Sequence, residues 1–221
     1  MDKYDLCKDL KIEINNFIHM INAKKDLANT SDIRGITKRI IFLKTVALNQ
    51  SHRHYPKFMI YDLLSIIHAL TQNSTRNIYN LYRSFIENFI RFILELDDND
   101  NTGVRKLFLS LKDKFSITPE TIEIINYIDG EYSLCCNFVH SNIEADLSVF
   151  EYYKDILESD EMNNKKLTRI IKRILKFLQK ATLLLIYISP EALDGGFHRN
   201  KQKMKFLIGD KDYSVFQKNT Q

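Results

Sequence analysis

LYRSFIENFIRFILEL, residues 81–96, decides the fold class. Each residue turns a helix by about 100°. With Arg83 as origin, Arg76, Asn80, Glu87 and Arg91 fall within about a quarter-turn on one side. Leu81, Phe85, Phe89, Phe92 and Ile93 fall on the other. The stretch is therefore an amphipathic helix, with Asn73 or Ser74 as its cap and an end near Leu96. Glu87 stands four residues from both Arg83 and Arg91, so either pair can form an ion pair along the helix.

The same period recurs on both sides. Leu6, Leu10, Ile14, Phe17, Ile18 and Ile21 make one stripe, and Ile36–Leu48 a second helix. Asn49–Pro56 reads as a loop, because the residue before a proline is pushed out of the helical region. Lys57–Thr71 reads as a buried helix with His68 in its core. Asp97–Gly103, DDNDNTG, lacks the ligand spacing of a calcium loop and is assigned to solvent. Val104–Phe115 is amphipathic. Thr118-Pro119-Glu120 starts a helix that runs towards Ser141, with Gly130 as a point of bending. Val149–Leu157 is also expected to be helical. Asn163–Ile188 is a long helix stopped by Ser189-Pro190, and Asp194-Gly195-Gly196 reads as a loop.

These elements, with only six glycines and three prolines in 221 residues, predict an all-α antiparallel helical bundle over residues 1–190. A small basic C-terminal appendage, residues 191–221, carries a short helix or a strand pair. Three cysteines, two of them adjacent (Cys135, Cys136) and one at Cys7, fit reduced thiols in a cytoplasmic protein. The N-terminus is too charged for a signal peptide, and the most apolar run, Ala181–Ile188, is too short for a membrane span.

Charge is unevenly placed. Glu87–Asp160 holds 16 acids against 6 bases, and Lys165–Lys205 holds 11 bases against 2 acids. Either the two regions attract each other or the basic one receives an anionic partner. The polar side of the Asn163–Ile188 helix includes Arg169, Lys172, Arg173 and Lys176 with no acid among them, a pattern suited to a phosphate backbone. No aromatic residues interleave with these bases, so base stacking is not indicated.

The second candidate stretch is YSLCCNFVHS, Tyr132–Ser141. With His140 as origin, Asp129, Ser133, Cys136, Asn137 and Glu144 lie close to it on one stripe. His140 is then either a surface histidine or a histidine in a polar cleft shared with Arg83 and Glu87. A cleft histidine titrates near working pH, and an arginine beside it binds phosphate with two parallel bonds. His52-x-His54 has ligand spacing but no third ligand, so no metal is expected.

Arg83–Asn88, RSFIEN, followed some fifty residues later by Tyr132–Ser141, resembles the HEPN superfamily. The resemblance covers about Asn73–Leu157 and is nearer to helical proteins of bacterial defence loci with an Arg-x3-Glu helix and a Tyr…Val-His-Ser/Gly helix. It implies a helical bundle, often dimeric. Many members are metal-independent endoribonucleases acting as toxins, in abortive infection or CRISPR-linked defence; others are inactive binding partners. Carried to this chain, it makes Arg83, Glu87 and His140 the catalytic candidates. Arg91, Asn137, Arg169, Lys172, Arg173 and Lys176 become nucleic-acid-binding candidates. It implies RNA, a homodimer or a partner protein of a defence complex, and no cofactor. One departure is plain: the family places an arginine four to six residues before the histidine, and Asp129–Val139 contains neither Arg nor Lys. The arginine of any site must come from the other helix, most directly Arg83, or from a second subunit.

Overall fold

The computed structural model describes residues 5–25, 27, 30–48, 54–139, 150 and 163–220. Within them, the regular structure is helical, with no strand. The helices with described bounds are α1 (Lys8–Lys24), α2 (Thr30–Ala47), α3 (His54–Thr71), α4 (Thr75–Leu94), α5 (Val104–Phe115), α6 (Pro119–Val139), α7 (Asn164–Ile188), α8 (Pro190–Gly196) and α9 (Lys201–Asn219). The expected helix Val149–Leu157, apart from Phe150, lies outside the described residues.

α4 is the amphipathic helix that its period predicts. Tyr82, Phe85, Phe89 and Phe92 are buried, and Phe177 of α7 drives edge-on among the first three at centroid distances of 5.3, 5.5 and 6.3 Å. T-shaped rings at this range gain from edge-to-face quadrupoles as well as from burial. α3 and α4 are joined by residues 72–74 only, which makes them antiparallel neighbours. Asn73, at φ 58°, closes α3: its N–H donates to Leu70 O, and the Ser74 N–H donates to Ala69 O. Glu95, at φ 56°, closes α4 in the same way, with its N–H on Phe92 O and the Leu96 N–H on Arg91 O.

The α6 start reads as expected. The Thr118 hydroxyl accepts from the Thr121 N–H at 3.3 Å, and the Thr121 hydroxyl accepts from the Thr118 N–H at 3.0 Å. This is a reciprocal cap closed by threonine. Asn163 caps α7 by accepting from the Lys166 N–H at 2.9 Å. α7 crosses α2 closely: a Cβ on Gly35 would meet a Leu175 methyl at 3.0 Å, so glycine permits this approach.

Several local expectations are corrected. α3 begins at His54, inside the stretch read as a loop. Pro56 falls in the first helical turn, where its missing N–H costs nothing, and the Asp98 carboxylate accepts from the His54 N–H at 3.1 Å. The acidic turn is therefore not merely solvated. Its Asp100 carboxylate binds Arg91 at 2.7 Å and the Thr102 hydroxyl at 2.6 Å. α3 is not buried all round either. His68 is exposed, on the face opposite Met59, Leu63 and Ile66, together with Phe58, Tyr61 and Leu64. Asp194-Gly195-Gly196 is the end of helix α8, which Pro190 opens from its first turn.

The C-terminal residues form helix α9, with a kink at Gly209 (φ 84°, ψ 164°) that only glycine adopts readily. α9 packs on α2 and α7. Arg39 of α2, 8% exposed, donates to the Ile208 carbonyl at 2.6 Å and to Asp212, 9% exposed, at 2.7 Å. A kink leaves carbonyls without helical partners, and the guanidinium takes one of them.

Replacing Phe177 with alanine is expected to destabilise the chain by about 3–5 kcal/mol, because it empties the space between α4, α6 and α7. Urea unfolding followed by far-UV circular dichroism measures this. Phe177→Leu should recover part of the loss, whereas equal midpoints for Phe177→Ala and the parent chain contradict the packing role.

Candidate active site

Because the rings of α4 face α7, its polar residues are presented to α3 and α6. They divide into two rows. Ser84 and Asn88 both donate to one oxygen of Asp62 on α3, each at 2.8 Å. Burial raises the Asp62 carboxyl above its ordinary value, and these two bonds oppose the rise.

The other row is Arg83 and Glu87. Arg83 Nε donates to Glu87 Oε1 at 3.1 Å, and the two side chains are 31% and 24% exposed. Tyr132 of α6 donates its hydroxyl to the same Glu87 oxygen at 3.0 Å. The Arg83 guanidinium lies 5.8 Å from the Tyr132 ring centroid. Burial and then the Glu87 carboxylate push the Tyr132 phenol well above its ordinary value, so it stays protonated and donates. Burial works against the charge on Arg83, but its bonds to Glu87 and Tyr132 hold it firmly protonated. The two sequence stretches thus meet at one carboxylate: Glu87 orients the arginine of α4 and receives the tyrosine of α6.

The register of α6 on α4 is antiparallel. Tyr132 stands against Glu87, and one and a half turns on, Phe138 stacks flat on Tyr79 at 3.9 Å. Asn137 is exposed and Cys136 half-buried beside Tyr132. Of the three catalytic candidates, the structure brings Arg83 and Glu87 together; His140 lies outside the described residues.

The nucleic-acid-binding candidates fall in different settings. Arg91 is 12% exposed, tied to Asp100 and to the Thr102 carbonyl at 2.8 Å, and set over the Tyr55 ring. Arg173 pairs with Glu131 of α6 at 3.4 Å. Arg169, Lys172 and Lys176 are exposed. Among the described residues, no group of three or more His, Cys, Asp or Glu is placed to hold a metal. His54 is exposed and packs against the Phe58 ring. No described helix is long and apolar enough to cross a membrane.

A second polar cluster was not anticipated. Glu131, the residue before Tyr132, points to the other side of α6 and is buried. It accepts from the Tyr82 hydroxyl at 3.2 Å, bonds Tyr127 and pairs with Arg173, which also bonds Tyr79. Burial raises the Glu131 carboxyl, and Arg173 opposes it. Burial and the nearby Glu131 push the Cys135 thiol up to about 12. Nothing local announces this cluster, since its members come from three helices. Tyr127 and Glu131 on α6, and Tyr79 and Tyr82 on α4, each about one turn apart, are the hints within single elements.

Comparison with models of protein families, with curated proteins and with solved structures returned no match. The reading of the site therefore stands on its own residues.

Two outcomes follow from these environments. A carboxyl raised in the folded state keeps a proton that the unfolded chain releases. Its contribution is full below the unfolded value and lost as pH rises through the folded one. Asp62→Asn should accordingly flatten the stability profile on the acidic side of neutrality, in urea titrations from pH 4 to 7.5, without loss of stability at pH 7. An unchanged profile contradicts the raised carboxyl. Iodoacetamide at pH 8 should modify Cys136 well before Cys135, read by peptide mass, with Cys135 reacting only after denaturation. Equal labelling of both in the folded chain overturns the assignment.

Proposed function

We propose that the protein is a HEPN-like defence effector of the cytoplasm, a metal-independent endoribonuclease that cleaves RNA and acts as a toxin, as a homodimer or within a defence complex. The observation that carries this is the junction at Glu87. Helix α4, with its Arg-x3-Glu pair, and helix α6, which carries Tyr132, are packed side by side, with Arg83 held half-exposed between them. In this reading Arg83 binds the scissile phosphate and Glu87 fixes its guanidinium. The ribose 2′-hydroxyl attacks the adjacent phosphorus in line as the bond to the 5′-oxygen breaks, leaving a cyclic phosphate and a 5′-hydroxyl. His140 takes or returns the proton, and Arg83 offsets the charge gathering on the phosphorane oxygens. Tyr132, held protonated, is a positioning residue.

A second reading is favoured by one specific feature. No Arg or Lys occurs between Asp129 and Val139, so the domain is, on this view, a non-catalytic adaptor of the same fold that binds a partner protein or nucleic acid.

The purified chain, incubated with tRNA or single-stranded RNA in the presence of a chelator, is expected to generate fragments with cyclic phosphate ends. Arg83→Ala and His140→Ala should each lower the rate by about 10²–10⁴-fold. Wild-type expression should arrest bacterial growth, and His140→Ala should relieve the arrest. RNA left intact by the wild type, together with harmless expression, rejects the nuclease and leaves the adaptor.

A further inference from the structure

α7 carries seven bases between Lys165 and Lys180; Lys166 is half-buried, and the fold sorts the other six. Arg173 is turned to Glu131 at 3.4 Å and Lys180 to Glu123 at 2.7 Å, so both brace α7 against α6. Lys165, Arg169, Lys172 and Lys176 remain on the side opposite the buried row Ile170, Ile174, Phe177 and Ala181. All four are exposed, and among the described residues none has a carboxylate within ion-pair range. They follow one another at four, three and four residues, so they form a single row along about 16 Å of helix.

Two features select a phosphodiester backbone over other anionic partners. Among the described residues, no large apolar side chain of α7 is exposed, so the row lacks the apolar flank with which an amphipathic helix enters a lipid surface. The helix also contains no acid, so nothing on it sets a register for an acidic protein partner. We infer that the Lys165–Arg169–Lys172–Lys176 row is a sequence-independent seat for the phosphate backbone of a nucleic acid. The choice of RNA rests on the proposed ribonuclease reading. The row lies on α7, apart from Arg83 on α4, and α6 contacts both helices. It therefore acts by raising the local concentration of strand, while Arg83 belongs to the cleavage site.

The test is fluorescence anisotropy of a labelled 20-nucleotide oligouridylate with the full chain across a potassium chloride series. Counterion release predicts log K falling with log salt by about 0.7 per phosphate contact on a single strand. The variant Lys165→Ala/Arg169→Ala/Lys172→Ala/Lys176→Ala should lower the slope by roughly 3, and each of the pairs Lys165→Ala/Lys176→Ala and Arg169→Ala/Lys172→Ala by about half of that. Arg105→Ala/Lys106→Ala, exposed on α5, should leave it unchanged. The pairs keep the test informative if the fourfold variant folds poorly. An unchanged slope in the pairs overturns the seat, as does absence of binding at low salt, or displacement of RNA by polyglutamate at equal charge. The wild type separates the two readings: strand bound with normal slope but never cut retains the seat and rejects the nuclease.

Discussion

The insertion of Phe177 into the aromatic row of α4 sets the rotation of the helix that everything else depends on. Tyr82, Phe85 and Phe89 repeat at three and four residues, so they form one stripe that a ring from α7 can enter. Once that stripe is committed to α7, the remaining faces of α4 have no freedom. Ser84 and Asn88 must meet α3, where Asp62 accepts both. Arg83 and Glu87 must meet α6, where Tyr132 answers. The candidate site is thus a by-product of core packing, which is how a marginal surface contact becomes a fixed geometry.

α6 passes between two polar environments with opposite characters. Tyr132 reaches the half-exposed Arg83–Glu87 pair, while Glu131 enters a buried cluster of tyrosines closed by Arg173. Consecutive helical residues point about 100° apart, so one turn of α6 serves both. The buried cluster locks α6 to α4 and α7 together, because Glu131 takes a bond from each. Its carboxylate is satisfied on all sides, which offsets much of the desolvation that burial imposes. The unequal charge of the two chain regions finds part of its meaning here: Glu131 and Glu123 from the acidic stretch meet Arg173 and Lys180 from the basic one. Attraction between regions and an exposed basic row are therefore both true, of different residues on α7.

What the sequence revealed follows from where the relevant forces act. The period of α4 and the threonine cap of α6 are encoded within a few residues, and each is found where the pattern places it. The start of α3 was hidden because its cap, Asp98, lies more than forty residues away. The fate of the acidic turn was hidden for the same reason: Asp100 meets Arg91 only after the chain has turned back on α4. α8 looked like a loop because two glycines outweighed the proline start, yet both glycines fall in its last turn, where they are tolerated. Within the candidate site, the Arg83–Glu87 pair was visible from spacing alone. Tyr132 was not part of the His140 stripe, and its bond to Glu87 needed the register of two helices that local patterns do not supply.

Comparison of the arginines separates architecture from function. Arg39 joins α2 to the kink in α9, Arg91 joins α4 to its following turn, and Arg173 joins α7 to α6. Each closes a contact between segments distant in the chain or in space, and each would leave a partner stranded if removed. The Arg83 ion pair is different in kind. Its partner is one turn along the same helix, an arrangement worth a few tenths of a kcal/mol in an exposed helix. Beside it a cross-helix bond runs from Tyr132 to Glu87, and the guanidinium bonds Tyr132 of α6 as well. Glu87 on α4 and Tyr132 on α6 together hold Arg83 in place. Arg83 is thus a half-exposed cation oriented by two helices at once, at the seam where α4 and α6 meet.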